Sequence, residues 1–458
     1  MKHYSYTYDI AVIGAGPAGL ASAIVAAREG KKVILLEKNG YLGGNLAIGL
    51  PPLGFLDENG TQIIAGFGQE FIDRLQERGQ SYGHRYCPKH NSTSNMDAEG
   101  VKILAIEMCR EAGVDIILHC ETQKVEVENG EIKSITMYGK CNEIVITADI
   151  YIDCTGDGDV AYLAGCSYNM GRNGGELMAP TVMCTLENVD NTKLFDYIEE
   201  HPEEMIYGAG SLIDTKPGYD ADYFRASPNH IFVGMTKLFE RLGKEGTLPV
   251  NRQSMIIING LNPGQVYVNT TRLLDVDATD ILDLTRAELD GQTQLRPLVQ
   301  MFRDHVPGFE NCYISSICPN LGVRETRRFK GIRCVNVDEA MAGEIPEDTV
   351  VLSGYKLDIH SGKNNTTLFK TVTRPFGVPY GTMVSAEISN LMFAGRNISV
   401  DESVIGSTRI MSVCMCLGQA AAIGACMALD GDVTPGEIDV AKLRETLLMQ
   451  NAILEMPE

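Results

Sequence analysis

The sequence predicts an α/β protein: buried parallel strands with covering helices, interrupted by a long insert in which strands and helices mix. Three stretches carry that prediction. Residues 8–38 read as strand, glycine-rich turn, helix and strand; residues 124–147 alternate as a small β-meander; residues 390–429 return to a strand followed by an apolar helix. Between about 166 and 370 no regular alternation of strand and helix continues.

The first stretch is the most informative. Residues 10–13 are a short apolar run suited to a buried strand, and Gly14-Ala15-Gly16-Pro17-Ala18-Gly19 then supplies G-x-G-x-x-G. Residues 20–29 are Ala-rich and helical in character, and residues 32–36 form a second buried strand that ends on Glu37. The three glycines serve different ends. Gly14 makes the tight turn, Gly16 lets backbone approach a pyrophosphate, and Gly19 packs helix on strand. The helix N-terminus offers free N–H groups and partial positive charge to phosphates. Glu37 is placed to accept hydrogen bonds from ribose hydroxyls. With all these parts in register, the unit is Rossmann-like and points to a bound adenine dinucleotide.

Composition narrows the class. The chain of 458 residues suggests two or three domains, and 44% hydrophobic with 22% charged residues describes a globular protein with ample core. A formal charge of -21 argues against nucleic acid or an anionic membrane surface as partner. The first ten residues hold no apolar h-region, so no secretory signal is expected. The 13 cysteines form no C-x-x-C, the nearest approach being Cys414-x-Cys416. Reduced, mostly buried thiols in the cytoplasm are expected, without iron–sulfur cluster or zinc.

Along the chain, Gly43-Gly44 would let main chain approach a flat ring closely. Helices are expected at 71–78 and 96–112 and a strand at 114–120. Strands 124–128, 132–138 and 143–147 follow, separated by the Asn129-Gly130 turn and Gly139. A strand at 148–155 ends in Thr155-Gly156-Asp157-Gly158-Asp159, whose glycines and hydroxyl suit a phosphate or ribose edge. A calcium loop is the rival there, and the downstream Glu of an EF-hand is missing. The insert holds helical segments at 192–200, 227–243 and 279–302. After a strand at 390–394 come Gly395-Arg396-Asn397, then Ser407 or Thr408 to cap a helix from about Arg409. Residues 410–429 are long and apolar enough to span a bilayer, but their Ala, Gly, Cys and central Gln419 fit a buried core helix better.

Taken together, GAGPAG with Glu37 and Gly43-Gly44, DCTGDGDVA at 153–161, LGVRETRRFKG at 321–331, YKLDIH at 355–360, NLMFAGRNIS and the terminal CLGQAAAIGACMAL resemble one family. That family is the FAD-dependent oxidoreductases of the glutathione-reductase-like superfamily, two-dinucleotide-binding and Rossmann-type. The resemblance implies a discontinuous Rossmann-like FAD-binding domain, parallel sheet plus small β-meander, from residues 1–165 and 371–458. An inserted α+β substrate or cap domain would occupy 166–370. It implies that Gly14, Gly16 and Gly19 hold the pyrophosphate and Glu37 the ribose; Pro17, Ala18, Lys38, Gly43 and Gly44 are further expected cofactor-binding residues. Val125 would sit near the adenine, Thr155, Gly156 and Asp157 at the cofactor edge, and Gly395 and Arg396 on the diphosphate side. The last helix would point its N-terminus at the flavin, so Ser407, Thr408 and Arg409 are expected at that ring.

The chemistry would come from FAD, with protein groups placing a substrate and managing a proton. Arg324, Arg327 and Arg328 would share one face if their segment is helical and could bind a carboxylate; otherwise they pair with acids such as Glu325 or Asp338. Asp358-x-His360 on a strand puts both side chains on one side, so the acid can orient the imidazole. Tyr380 is a further acid candidate, or a core aromatic. His84 and His90 flank Cys87 but lack a fourth ligand, so no metal is expected. Gly208-Ala209-Gly210 begins a second glycine string in which Ile213 replaces the last glycine, so no NAD(P)H domain is expected. The vicinal cysteines of disulfide reductases are absent as well. The expectation is hydride transfer between FAD and a small anionic or polar organic substrate, with an external electron acceptor or donor; homo-oligomers are compatible with the sequence. The alternatives are a flavin-carrying electron-transfer subunit and a thiazole-synthase-like protein holding an NAD-derived adduct.

Overall fold

The computed structural model describes residues 1–172, 174–208, 211–213 and 216–456. Ala209 and Gly210 of the second glycine string lie outside the described residues. The main sheet has seven strands. Asp115–Ile117, Val33–Leu36, Lys2–Ile13, Asn142–Asp153 and Leu391–Phe393 run parallel, in that order across the sheet. Glu131–Gly139 and Glu121–Glu128 extend it as an antiparallel meander. Ile13 and Phe393 both pair with Asp153, so strands from the two ends of the chain finish at one level.

Two strands are longer than the sequence pattern indicates. Lys2–Ile13 begins eight residues ahead of the apolar run at 10–13, because residues 2–8 pair with 142–148 while their side chains stay mostly exposed. Without a buried face they leave no hydrophobic signature. Asn142–Asp153 is one continuous strand where the sequence divides it at 147, since its first half borders the meander and its second half is buried. The predicted helix at 227–243 is a strand, Ile231–Gly234, then a helix, Thr236–Glu245, divided by Met235 at φ 59°. Its β-branched start pairs with Met255–Asn259, and that tertiary partner overrides the helical pattern.

A second, antiparallel sheet is built from the middle of the chain: Ile231–Gly234, Met255–Asn259, Val266–Val268, Cys184–Glu187 and Tyr313–Ile317. Helix Ile281–His305 packs beside it and carries Pro297 inside. The buried apolar residues form two large cores, one drawing on 8–178 and 329–454 and the other on 182–321, and a small third cluster of Ile48, Met183, Ile231, Val233, Ile258 and Tyr267. Residues 329–370, expected in the insert, therefore pack with the first core. Within that stretch Leu357–His360 and Thr367–Lys370 form a small sheet with Leu212–Ile213.

Helix Met411–Gly431 lies against Pro17–Arg28 at van der Waals distance of backbone to backbone. A Cβ at Gly418 would overlap the Ala18 carbonyl, and the Ser22 hydroxyl donates to the Gly418 carbonyl at 3.1 Å. The helix is apolar and long enough to cross a membrane, and 89% of its most apolar window is buried inside the protein. Gln419, the polar residue at its centre, accepts from the Phe67 N–H at 3.0 Å. Gly418→Val should therefore destabilise the fold by roughly 3 kcal/mol or more, read as a lower urea midpoint, because overpacking meets main chain rather than a side chain that can move.

Two buried histidines set an acid limit on stability. Burial pulls His230 down to about 4, against the raising effect of the Ser227 carbonyl. Burial and the neighbouring Lys89 charge pull His90 down to about 3. Unfolded, both take up a proton near about pH 6.5; folded, they stay neutral until far lower pH. Stability should fall as pH drops from about 6.5 toward 4, by up to roughly 1.4 kcal/mol per pH unit for each, measured by urea unfolding across that range.

Candidate active site

The cleft lies at the carboxyl ends of the parallel strands, as expected for ligands of open α/β sheets. Gly14 leaves the first strand at φ 97°, where a Cβ would strike the Cys154 carbonyl. At Gly19 a Cβ would overlap the Gly14 carbonyl oxygen. Gly16 differs: nothing lies within 4 Å of where its Cβ would be, so its free side faces open space. Pro17 opens the helix, and no side chain caps that helix N-terminus. Gly44 at φ 50° sits against the Gly16 Cα, and the Gly43 N–H donates to the Ala15 carbonyl at 2.8 Å.

Glu37 is buried at the end of the second strand. One carboxylate oxygen accepts from Ala15 N and the other from Asn39 N and Nδ2, all at 2.8 Å. Glu37 and Lys38 border two adjoining cavities of about 330 and 400 Å³, which share Gly14, Glu121, Thr155 and Asp157 as well. The turn after the next strand is organised by Asp153, which accepts from Thr155 N, Thr155 Oγ1 and Ala161 N. Burial pushes Asp153 up to about 6 despite those bonds. Across the larger cavity, Arg396 donates to Asp157 at 2.9 Å, and its Nη1 is buried without a partner. Gly156 and Gly395, at φ 76° and 117°, line the same wall.

A third cavity of about 150 Å³ opens from this cleft past Asn45, Val323, Arg396, Arg409 and Met411, which line both spaces. Its lining combines the apolar Leu50, Leu53, Val233 and Ile258 with the cationic Arg252, Arg272, Arg324 and Arg409. Asp358 and His360 enter from the strand Leu357–His360. His360 Nε2 lies 3.0 Å from Asp358 Oδ1, while Arg409 donates to Asp358 Oδ2 at 2.9 Å. Thr367 Oγ1 is 3.3 Å from His360 Nδ1. Burial raises Asp358, yet His360, Arg409 and Arg324 together hold it well below the usual carboxylate range. Burial, with Arg324 and Arg252 adding to it, lowers His360 well below its ordinary value against the pull of Asp358. The imidazole is therefore neutral at physiological pH, its Nε2–H donated to the carboxylate and its Nδ1 an acceptor.

The structure separates residues that the sequence grouped. The segment 324–328 is extended, with Arg327–Phe329 paired to Tyr168–Met170, so the three arginines share no helical face. Arg324 reaches the third cavity. Arg327 instead donates to the Asp157 carbonyl and Asp159, each at 3.2 Å, and stacks on Tyr162. Arg328 is ion-paired to Glu325 in the interior. Tyr380 is a core aromatic: its hydroxyl donates to the Pro435 carbonyl at 3.0 Å beside Gly424, away from all three cavities. Val125 pairs with Ile135 in the meander, and Glu121 and Thr122 line the cavity in its place. Ser407 and Thr408 turn inward, donating to the Tyr355 and Val404 carbonyls, because a short helix, Ile405–Thr408, precedes the long one. The long helix starts at Met411, and of the predicted trio Arg409 alone lines the cleft. His84 stacks on Phe55 and His90 contacts Cys87 at 3.4 Å. Among the described residues no cluster of three His, Cys, Asp or Glu is placed to hold a metal ion.

Arg252 and Arg272 were missed by sequence reasoning. Their one signal is an arginine in an otherwise uncharged run, as in VYVNTTRLL.

Residues 9–447 match the family described as FAD dependent oxidoreductase. The chain belongs to that family. Shorter stretches resemble curated proteins: 42% identity over 65 residues with the glutamate synthase [NADPH] small chain of Escherichia coli, covering 14% of each. A 52-residue stretch is 54% identical to cinnamate reductase of Clostridium sporogenes, 11% of this chain and 8% of that one. The chain thus spans a small fraction of the length of these relatives. Among solved structures, p-nitrophenol 4-monooxygenase from Pseudomonas putida matches with a TM-score of 0.50 over 99% of this chain and 88% of that one. At 11% identity this likeness shows the fold.

This FAD-dependent oxidoreductase presents a cradle that fits its cofactor. The open side of Gly16, the uncapped helix N-terminus and the unpartnered Arg396 Nη1 are what a diphosphate would fill. Arg396→Met should raise the FAD dissociation constant by about 10- to 100-fold, the loss of one charge-assisted contact. Titration followed by flavin fluorescence checks this, and an unchanged constant would remove Arg396 from the cradle.

Proposed function

We propose that this enzyme transfers a hydride between FAD and a small anionic organic molecule seated in the arginine-lined cavity. The observation that carries the reading is the juncture at Arg396 and Arg409. There a cationic pocket walled by Asp358 and His360 opens directly onto the dinucleotide cleft. FAD, when bound, supplies the two-electron acceptor or donor. Gly14, Gly16, Gly19, Glu37, Thr155, Gly395 and Arg396 are the residues we assign to holding it.

The chain's own contribution is binding, orientation and a proton. Arg324 and Arg409 attract an anionic group, and Asp358 fixes the His360 ring through Nε2. His360 Nδ1, held in an acceptor state, takes the proton that accompanies hydride loss or returns it in the reverse direction. Asp358 acts through His360 and Arg409 as a positioning residue. Electrons leave or enter through an external carrier, since the sequence carries one full dinucleotide turn.

The test is anaerobic screening of small organic acids for bleaching of the flavin's visible absorbance. An FAD-loaded protein that no anionic compound bleaches, and whose flavin exchanges electrons only with a protein partner, would overturn the reading in favour of an electron-transfer subunit. With a turnover substrate in hand, His360→Gln should lower kcat by about 100-fold or more while FAD content stays at wild-type level. The acid limb of kcat/KM should lie below pH ~6.5, because the neutral imidazole is the working form and its surroundings depress its protonation. An acid limb at or above that value in the wild type would remove His360 from the role.

A further inference from the structure

Three guanidiniums in the small cavity make no direct ion pair among the described residues, and the carboxylate that acts on all three from a distance is Asp358. Arg252, Arg272 and Arg324 are 4%, 2% and 9% exposed, and none is ion-paired among the described residues. Arg252 donates to the Asn269, Thr270 and Thr271 carbonyls and the Thr181 hydroxyl. Arg324 donates to the Ala179 carbonyl and the same Thr181 hydroxyl. Arg272 donates to the Ser361 and Thr366 carbonyls and the Thr367 hydroxyl, and its Nε is buried without a partner. All these acceptors are neutral. The chain has 60 acidic residues, yet Asp358, already shared between His360 and Arg409, is the only carboxylate among the described residues lining this space.

Burying a cation without a partner is among the most unfavourable arrangements a fold can hold. Burial pulls Arg324 down to about 9, with Arg409 adding to it, and Arg272 down to about 10. A ligand that brings negative charge relieves that strain. The three cations fall into two groups by their tethers. Arg252 and Arg324 share the Thr181 hydroxyl, whereas Arg272 is held by Ser361, Thr366 and Thr367, the last beside His360. With three guanidiniums to answer, one monoanion would leave net positive charge buried in the cavity.

We propose that the substrate is a compact dicarboxylate. One carboxylate sits between Arg252 and Arg324, and the second sits at Arg272 next to Thr367 and His360. This rests on the reading of the cavity as the substrate site and names the class of molecule it takes. Two separated planar carboxylates suit guanidinium forks. The apolar Leu53, Val233 and Ile258 in the same lining suit the carbon chain between them. A volume of about 150 Å³ matches cavities that accept a benzene-sized molecule, so the chain between the carboxylates is short. A phosphate monoester carries the same two charges on one centre and could answer one group only.

The FAD-loaded full chain, at fixed ionic strength, is titrated with succinate, glutarate, butyrate and methyl phosphate. Binding is read from the flavin's visible spectrum and, independently of flavin, from the rise in Tm. Succinate or glutarate should bind at least about tenfold more tightly than butyrate or methyl phosphate. Arg272→Gln should abolish that preference while leaving butyrate affinity within about twofold, and Arg272→Lys should restore part of it. Equal affinity for butyrate and the dicarboxylates overturns the proposal. So does tighter binding of methyl phosphate, or a preference that survives Arg272→Gln in a variant of wild-type Tm. Should Arg272→Gln fail to fold, Arg324→Gln is judged by the same criterion. Protein that keeps its FAD and is bleached by another anion, yet ignores the diacids, overturns this inference alone. Protein that binds diacids by Tm but never exchanges electrons with them or any other compound overturns the oxidoreductase reading of the pocket instead.

Discussion

The near-contact of two helices from opposite ends of the chain is the constraint on which the rest depends. Pro17–Arg28 and Met411–Gly431 approach so closely that Gly418 faces the Ala18 carbonyl with no room for a methyl group. Small residues on both helices, Ala18, Ala21 and Ser22 against Gly418, make the approach feasible. The consequence is positional. The starts of Pro17–Arg28 and Met411–Gly431 border the same cleft, one through Gly16 and Pro17, the other through Arg409 and Met411. Two sources of partial positive charge thereby converge where an anionic cofactor is to be held. The strand Leu391–Phe393, delivered to the same sheet edge by the returning chain, places Gly395 and Arg396 opposite.

From that cradle the electrostatics step down toward the pocket. Asp358 is the pivot: it is half-buried, flanked by His360 on one oxygen and Arg409 on the other, and kept charged by them. Burial alone favours protonation of a carboxylate; paired on both sides, it becomes a fixed negative point that orders two side chains at once. The same burial that keeps His360 neutral also isolates the arginines around it. The pocket is thus a cationic interior within a strongly acidic protein.

How much of this was legible in the sequence follows from the range of the interactions. The turn 14–19 with Glu37, the meander and the Asp153 turn are local arrangements, and spacing alone reveals them. Asp358 and His360 were legible for the same reason, being two apart on one strand. Arg252 and Arg272 could not be read, because their places beside Arg324 depend on contacts distant in sequence, Thr181 for Arg252 and residues 361–367 for Arg272. Arg327 was misjudged since strand pairing with Tyr168–Met170, not helical spacing, fixes its direction. Ser407 and Thr408 were misplaced because an extra turn of helix rotates their hydroxyls toward main-chain carbonyls. Residues 329–370 pack with the first core through contacts such as Phe329 on Phe393, which no composition change along the chain announces.

Arg409 belongs to the walls of both chambers while its guanidinium is already engaged by Asp358. Charge arriving on one side redistributes what that single cation can offer the other. Thermodynamic reciprocity then requires that whatever an occupant of the inner chamber does to cofactor affinity, the cofactor does in equal measure to the occupant. A ligand seated in the inner chamber would therefore be linked to the cofactor through a side chain at the threshold.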